Sequence, residues 1–208
     1  MIRQPLLPLP DYQRIYQVIY SALESSKIAV THRSCIFFAV AGASILREHY
    51  HLSATISVGS MALMVDEQQS NVVVYGRSEN GYFVSDEKAF HAWVECDGWL
   101  IDFMAPIMGV ALRKDGIDWS ISPRMLQKHL DDSKSSLGEI RHLGEFIVGH
   151  NETLAESLID NQSSRFFQLL NTCVTLYSKP QEQSEALAHS YSPVTKLMRD
   201  APSIDGIW

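Results

Sequence analysis

One stretch constrains the fold more than any other: His91 to Phe103, reading His-Ala-Trp-Val-Glu-Cys-Asp-Gly-Trp-Leu-Ile-Asp-Phe. Asp97-Gly98 lies between two apolar runs, and both central residues of a type I′ turn need positive φ, so the dipeptide signals a two-residue β-hairpin. Such a turn sets the register. Cys96 opposes Trp99, Val94 opposes Ile101, Trp93 opposes Asp102 and His91 opposes Met104. Side chains alternate along a strand, which puts His91, Trp93 and Glu95 on one face with Leu100, Asp102 and Met104. His91 and Asp102 are then diagonal cross-strand neighbours, about 7–8 Å apart at the backbone. That is close enough for a carboxylate to orient an imidazole. A lone strand His is commonly structural, and a lone Asp beside a hairpin is commonly a solvated turn residue. This Asp, however, sits inside Trp-Leu-Ile-Asp-Phe, where a charge is costly without a partner.

The remaining chain is ordinary in composition and selective in what it excludes. Its 208 residues suffice for a buried core without metal or disulfide staples. The net charge of −7, with no basic run, argues against nucleic acid or an anionic membrane as partner. Cys35, Cys96 and Cys173 are odd in number and far apart, which is no disulfide framework and makes a reducing compartment the default. The lead-in Met1–Pro10 lacks the apolar core of a signal peptide, and no stretch is long enough to span a bilayer. A cytoplasmic protein is expected.

Helical spacing of Tyr12, Ile15, Tyr16, Ile19, Ala22 and Leu23 predicts a first helix near 12–25 with Asp11 as its cap. A second helix is expected to start close to Cys35, capped by Thr31 or Ser34, and to end near His51. It has no polar side chain from Ile36 to Ala43, so it is buried on all sides. Strands follow at 54–65, bent at Gly59, and at 71–76, then the hairpin at about 89–105, closed by Pro106. Ser122-Pro123 predicts a short helix through His129, with Pro at its first position. Residues 131–144 read as a loop and 145–149 as a strand. Asn151 caps a helix over 152–160. Asn161 or Ser163 caps another to about Ser178, with Phe166, Phe167, Leu169, Leu170, Cys173, Val174 and Tyr177 as its buried stripe. Pro180 opens a linker, with a short helix near 183–190, and the tail can dock through Trp208. The fold class is α+β, a buried Cys-bearing helix packed on an antiparallel sheet: a core over 1–150 and a helical C-terminal extension over 151–208 packed on it.

A cysteine opening a buried helix is not in the usual place for a packing residue. The positive end of the helix dipole favours thiolate, and the thiolate is the nucleophile. A nucleophile needs a base, and the base needs an orienting acceptor. His91 and Asp102 offer both, in chain order Cys35, His91, Asp102. Cys96 points to the opposite face of the hairpin and Cys173 lies in a helical stripe; both read as inert core. Glu95 reads as solvating the hairpin, and Trp93 as packing that also shields the site. His49-Tyr50-His51 has no third ligand nearby, so no metal is expected. There is no Gly-rich phosphate loop, and no cofactor is expected.

Cys35 at the head of an apolar helix, the His91-Ala92-Trp93-Val94-Glu95 strand and the Trp99-Leu100-Ile101-Asp102 strand together resemble the transglutaminase-like branch of the papain-like cysteine enzymes. Within that group the chain is similar to a small bacterial family of unknown function, DUF2026. The resemblance covers residues 11–110. It implies Cys35 as nucleophile, His91 as general base and acid, and Asp102 as the group orienting the imidazole. The chemistry implied is hydrolysis or transfer at amide, ester or thioester carbonyls through an acyl-enzyme. The partner is then a protein, peptide or small acyl substrate. Two departures leave the substrate open: the hairpin is as short as one can be, and Thr31-His32-Arg33-Ser34 lacks the Gly-containing surroundings common before the cysteine. A second reading keeps the same fold as a non-catalytic binding module with a vestigial triad.

Overall fold

The structure is a computed structural model that describes residues 3–79, 82–177 and 201–208. It is α+β, with a mixed, mostly antiparallel seven-stranded sheet and several helices. Helix α1 (Leu9–Ser26) has Pro8 at its cap position, three residues before the expected cap, and Pro10 in its first turn. Proline fits the first turn of a helix because its missing N–H would have no partner there. Asp11 falls within that turn and accepts from the Tyr50 hydroxyl at 2.5 Å. Helix α2 (Cys35–Tyr50) starts where expected and ends at His51 in the left-handed conformation. Ser34 precedes it, but its hydroxyl donates to the Val30 carbonyl at 2.9 Å rather than capping the helix.

Strand β1 (Thr55–Asp66) is the spine of the sheet. It pairs antiparallel with β2 (Asn71–Tyr75) over Met61–Asp66, with β5 (His91–Cys96) over Thr55–Gly59, and with β8 (Phe146–His150) over Gly59–Leu63. Because β8 overlaps both other partners, β2 and β5 share the opposite edge of β1, end to end. They are two halves of one long strand, interrupted by an excursion over residues 76–90. The excursion carries β3 (Arg77–Glu79) and β4 (Tyr82–Val84), which pair only with each other. It leaves at Gly76, whose φ of 148° suits a residue without Cβ. This places Tyr75, opposite Met61, next along the edge to His91, opposite Gly59.

The hairpin of β5 and β6 (Trp99–Asp102) has the expected register, with Cys96 against Trp99 and Val94 against Ile101. Asp97 and Gly98 both have positive φ, 50° and 80°, as a type I′ turn requires. β6 ends at Asp102, before the expected Pro106; the chain turns through a 3₁₀ segment at Ala105–Ile107 into α3 (Met108–Lys114).

Residues 124–129 are strand β7, not the helix expected after Ser122-Pro123. A helix of that length would bury one face. As a strand, β7 pairs with all of β6 and buries Met125 on one side of the sheet and Leu126 on the other. Gln127 ties it to the lead-in, accepting from the Leu7 N–H at 2.8 Å and donating to the Leu7 carbonyl at 3.0 Å. The C-terminal Gly206–Ile207 adds β9, parallel to β7, and seats Trp208 in the apolar layer.

Two layers cover the sheet. Ala92, Val94, Cys96 and Ile101 pack under α1 and α2, while Trp93, Leu100 and Leu126 join Met61, Met108 and Trp208 on the other face. Helix α4 (Glu152–Asp160) is capped by Asn151, and α5 (Ser164–Leu176) by Ser163; both side chains accept from a first-turn N–H. Helix α5 lies against α1 and α2 and buries Phe166 and Cys173. Phe167, expected in that stripe, is exposed instead. The expected linker from Pro180 and helix near 183–190 lie outside the described residues. Among those described, no helix is long and apolar enough to cross a membrane.

Candidate active site

The tip of α2 meets the start of β5, and the three residues singled out in the sequence come together there. Asp102 Oδ2 and His91 Nε2 are 2.8 Å apart. The Cys35 side chain lies near enough to the same imidazole to raise its pKa. His91 and Asp102 are each 1% exposed and Cys35 8%, so the constellation is all but closed to water. Burial works against a charged imidazole. The Asp102 carboxylate, through its charge and its hydrogen bond, and then the Cys35 side chain, outweigh burial and push His91 up to about 10.

Asp102 is itself held on every side. Its Oδ1 accepts from the Met104 N–H at 2.8 Å. Its backbone carbonyl accepts from the Tyr12 hydroxyl, which also faces the Leu126 N–H at 3.4 Å. The Tyr12 ring stacks obliquely on Phe103, centroids 5.0 Å apart. One α1 side chain thus clamps the β6 end that carries the carboxylate. Burial, followed by the charge of Asp102, holds the Tyr12 phenol well above its ordinary pKa, so it stays a donor. The helical stripe marked Tyr12 as core; only its tertiary partner makes it a support for Asp102.

Tyr75 is the residue that sequence reasoning missed. Its ring stacks on His91 with centroids 4.4 Å apart and planes 17° from parallel. Burial, then the charges of Asp102 and Cys35, raise its pKa, so the ring presents a neutral phenol to the site. Nothing local in Asn-Val-Val-Val-Tyr marks this role. It follows from β2 and β5 lying end to end.

The other candidates sort differently. Cys96 is buried in the core beneath α2, where burial and then Asp97 push its thiol up to about 11. Cys173 is fully buried, and burial pushes it up to about 12. Glu95 does more than solvate the hairpin: its Oε1 accepts from the Trp93 indole N–H at 2.7 Å and lies 2.5 Å from His150 Nε2. This fixes the large ring two residues from His91. His49 Nε2 is 2.9 Å from the Val174 carbonyl and joins α2 to α5. Among the described residues no group of three or more His, Cys, Asp or Glu could hold a metal ion.

A family model described as a protein of unknown function, DUF2026, matches residues 8–208. The chain belongs to that family. Membership extends over α1, the whole sheet and the C-terminal residues, so the arrangement around His91 lies inside the family's own extent. No curated protein matches the sequence. The chain is also similar to a solved crystal structure described as that of a genomics protein, with a TM-score of 0.76 and 25% identity, covering 100% of this chain and 99% of that one.

Proposed function

We propose that this DUF2026 protein is a cysteine-dependent hydrolase or acyltransferase with a transglutaminase-like, papain-like core. The observation that carries the reading is one buried imidazole shared by a thiol at a helix tip and a carboxylate on the adjoining strand. In the reaction, Cys35 Sγ passes its proton to His91, and the sulfur attacks the substrate carbonyl carbon. The carbonyl oxygen takes up the negative charge beside the Cys35 N–H at the start of α2, one candidate donor for it. As the C–N, C–O or C–S bond to the leaving group breaks, His91 returns the proton to that group. A thioester to Cys35 remains. Water or another nucleophile then gives its proton to His91, attacks the thioester and releases Cys35 as thiol. Asp102 keeps the imidazole oriented and stabilises its charged form throughout.

A sulfur far from both ring nitrogens, with no gap for a substrate, would favour the non-catalytic reading; the influence of Cys35 on the imidazole supports the enzyme instead. The test is alkylation by iodoacetamide at neutral pH, read residue by residue by mass spectrometry. Cys35 is expected to react faster than a free cysteine, and Cys96 and Cys173, held protonated and buried, to remain unlabelled. His91→Ala should slow labelling of Cys35. A Cys35 no more reactive than a free thiol, or indifferent to His91, would remove the nucleophile and the function with it.

A further inference from the structure

Away from the triad, a cavity of about 520 Å³ opens between the C-terminal end of α1, the 3₁₀ turn Thr31–Arg33 and α3. Cys35, His91 and Asp102 are not among its walls, and nothing in the function proposed above uses it. Its size falls in the range of about 300–1,000 Å³ that holds small molecules. Leu23 of α1 and Ile107, just before α3, are buried side chains that supply its apolar base, and the half-buried Tyr20 and Val110 stand beside them. Apolar surface continues from the cavity onto the loop after α1, where Ile28 is 41% exposed and Val30 54%.

The charges round this base do not cancel. Lys27, capping α1, and Lys114, ending α3, line the cavity from two elements, and both are exposed. Among the described residues neither ammonium is paired with a carboxylate. Glu24 is the one carboxylate in the lining. The neighbouring Arg33 and Asp115 pair with each other at 2.5 Å and add no net charge. His32 also lines the cavity; burial, then the charge of Lys114, hold it below the ordinary imidazole value. At neutral pH it therefore offers a hydrogen-bonding group and no charge. Two cations against one anion make a local positive excess in a chain of net charge −7, and such an excess draws an anion to the cavity.

We infer that this cavity is a binding site for a small amphipathic anion, its carboxylate head held by Lys27 and Lys114 and its aliphatic or aromatic body laid on Leu23, Ile107 and Val110. A neutral apolar molecule would leave both ammonium groups unused, and a cation would be repelled by them. A ligand with both parts uses the whole lining: the head gains charge-assisted hydrogen bonds and the body leaves water. The inference does not depend on the function proposed above.

The experiment is calorimetric titration of the full chain with straight-chain carboxylates from hexanoate to decanoate, and with decylammonium. One carboxylate is expected to bind per chain, and each added methylene to tighten binding roughly three- to fourfold until the cavity is filled. Decylammonium should bind on the order of tenfold more weakly than decanoate. The double variant Lys27→Gln, Lys114→Gln, at two exposed positions, should weaken decanoate on the order of tenfold, and Glu24→Gln should tighten it about twofold. Decylammonium binding as tightly as decanoate, or a decanoate affinity that neither charge variant moves, would reduce the site to unselective apolar contact and overturn the inference. Absence of decanoate binding overturns it too. Vesicles of phosphatidylcholine mixed with phosphatidylglycerol should not carry the chain down on centrifugation; if they do while free decanoate does not bind, the occupant is a membrane surface and the inference is wrong.

Discussion

Asp102→Asn is the perturbation that probes the arrangement most directly. Asp102 presents two oxygens to two donors: Oδ2 to His91 at 2.8 Å and Oδ1 to the Met104 N–H at 2.8 Å. An asparagine has one carbonyl oxygen. With that oxygen on the Met104 N–H, its NH₂ group faces His91 Nε2, which can accept from it only as a neutral imidazole, so the charged imidazole loses its counter-charge. Removing one partner of a buried ion pair costs about 3–5 kcal/mol. We therefore expect a loss of about 3 kcal/mol at pH 6, read from urea unfolding.

The pH dependence separates charge from shape. His91 is raised in the folded protein, to about 10; unfolded, it titrates near 6.5. The stability it contributes is fully present below about pH 6.5 and is lost as pH rises through the folded value. A rise of that size corresponds to a contribution of the order of 5 kcal/mol. The measurement belongs in a Cys35→Ala background, so that one proton is followed and not a coupled pair. There Asp102, the larger of the two influences raising the imidazole, remains. Stability should fall between pH 6.5 and 10, and adding Asp102→Asn should flatten that fall. Equal destabilisation by Asp102→Asn at pH 6 and pH 10 would show that His91 carries no charge in the fold, and the account of the pair would be wrong.

Three further outcomes follow from named contacts. Tyr75→Leu removes a stacked ring worth about 0.5–1.5 kcal/mol, so Cys35 alkylation should slow about two- to tenfold while Tyr75→Phe keeps the wild-type rate; equal slowing in both variants would mean that the hydroxyl, not the stacking, matters. A Cβ on Gly59 would lie 1.8 Å from the Gly149 carbonyl oxygen, a backbone atom of β8 that cannot swing away, so Gly59→Ala should cost about 3 kcal/mol or more in urea unfolding. Glu145 is held down at about 2 by Lys134 and then by the N–H groups of Arg141 and His142; its contribution is present above about pH 4.5 and lost as pH falls toward 2, and Glu145→Gln should make acid unfolding shallower over that range.

How far such residues can be read in advance depends on where their partners lie in the chain. Asp97-Gly98 and Cys35 are legible because their determinants are local: a turn that needs positive φ, and a run of apolar residues that must be a buried helix. From these two, the face shared by His91 and Asp102 follows by counting alternate residues. Ser122-Pro123 misleads for the same reason. It is a good local helix start, yet the segment after it gains more by pairing with β6 along its full length, and that partner lies twenty residues upstream or more. Tyr75 is the hardest case. Its place over His91 depends on β2 and β5 meeting on one edge of β1, and the chain between them leaves the sheet and returns. No periodicity records a strand cut in two. The support for the imidazole therefore comes from the same topological feature that hid it.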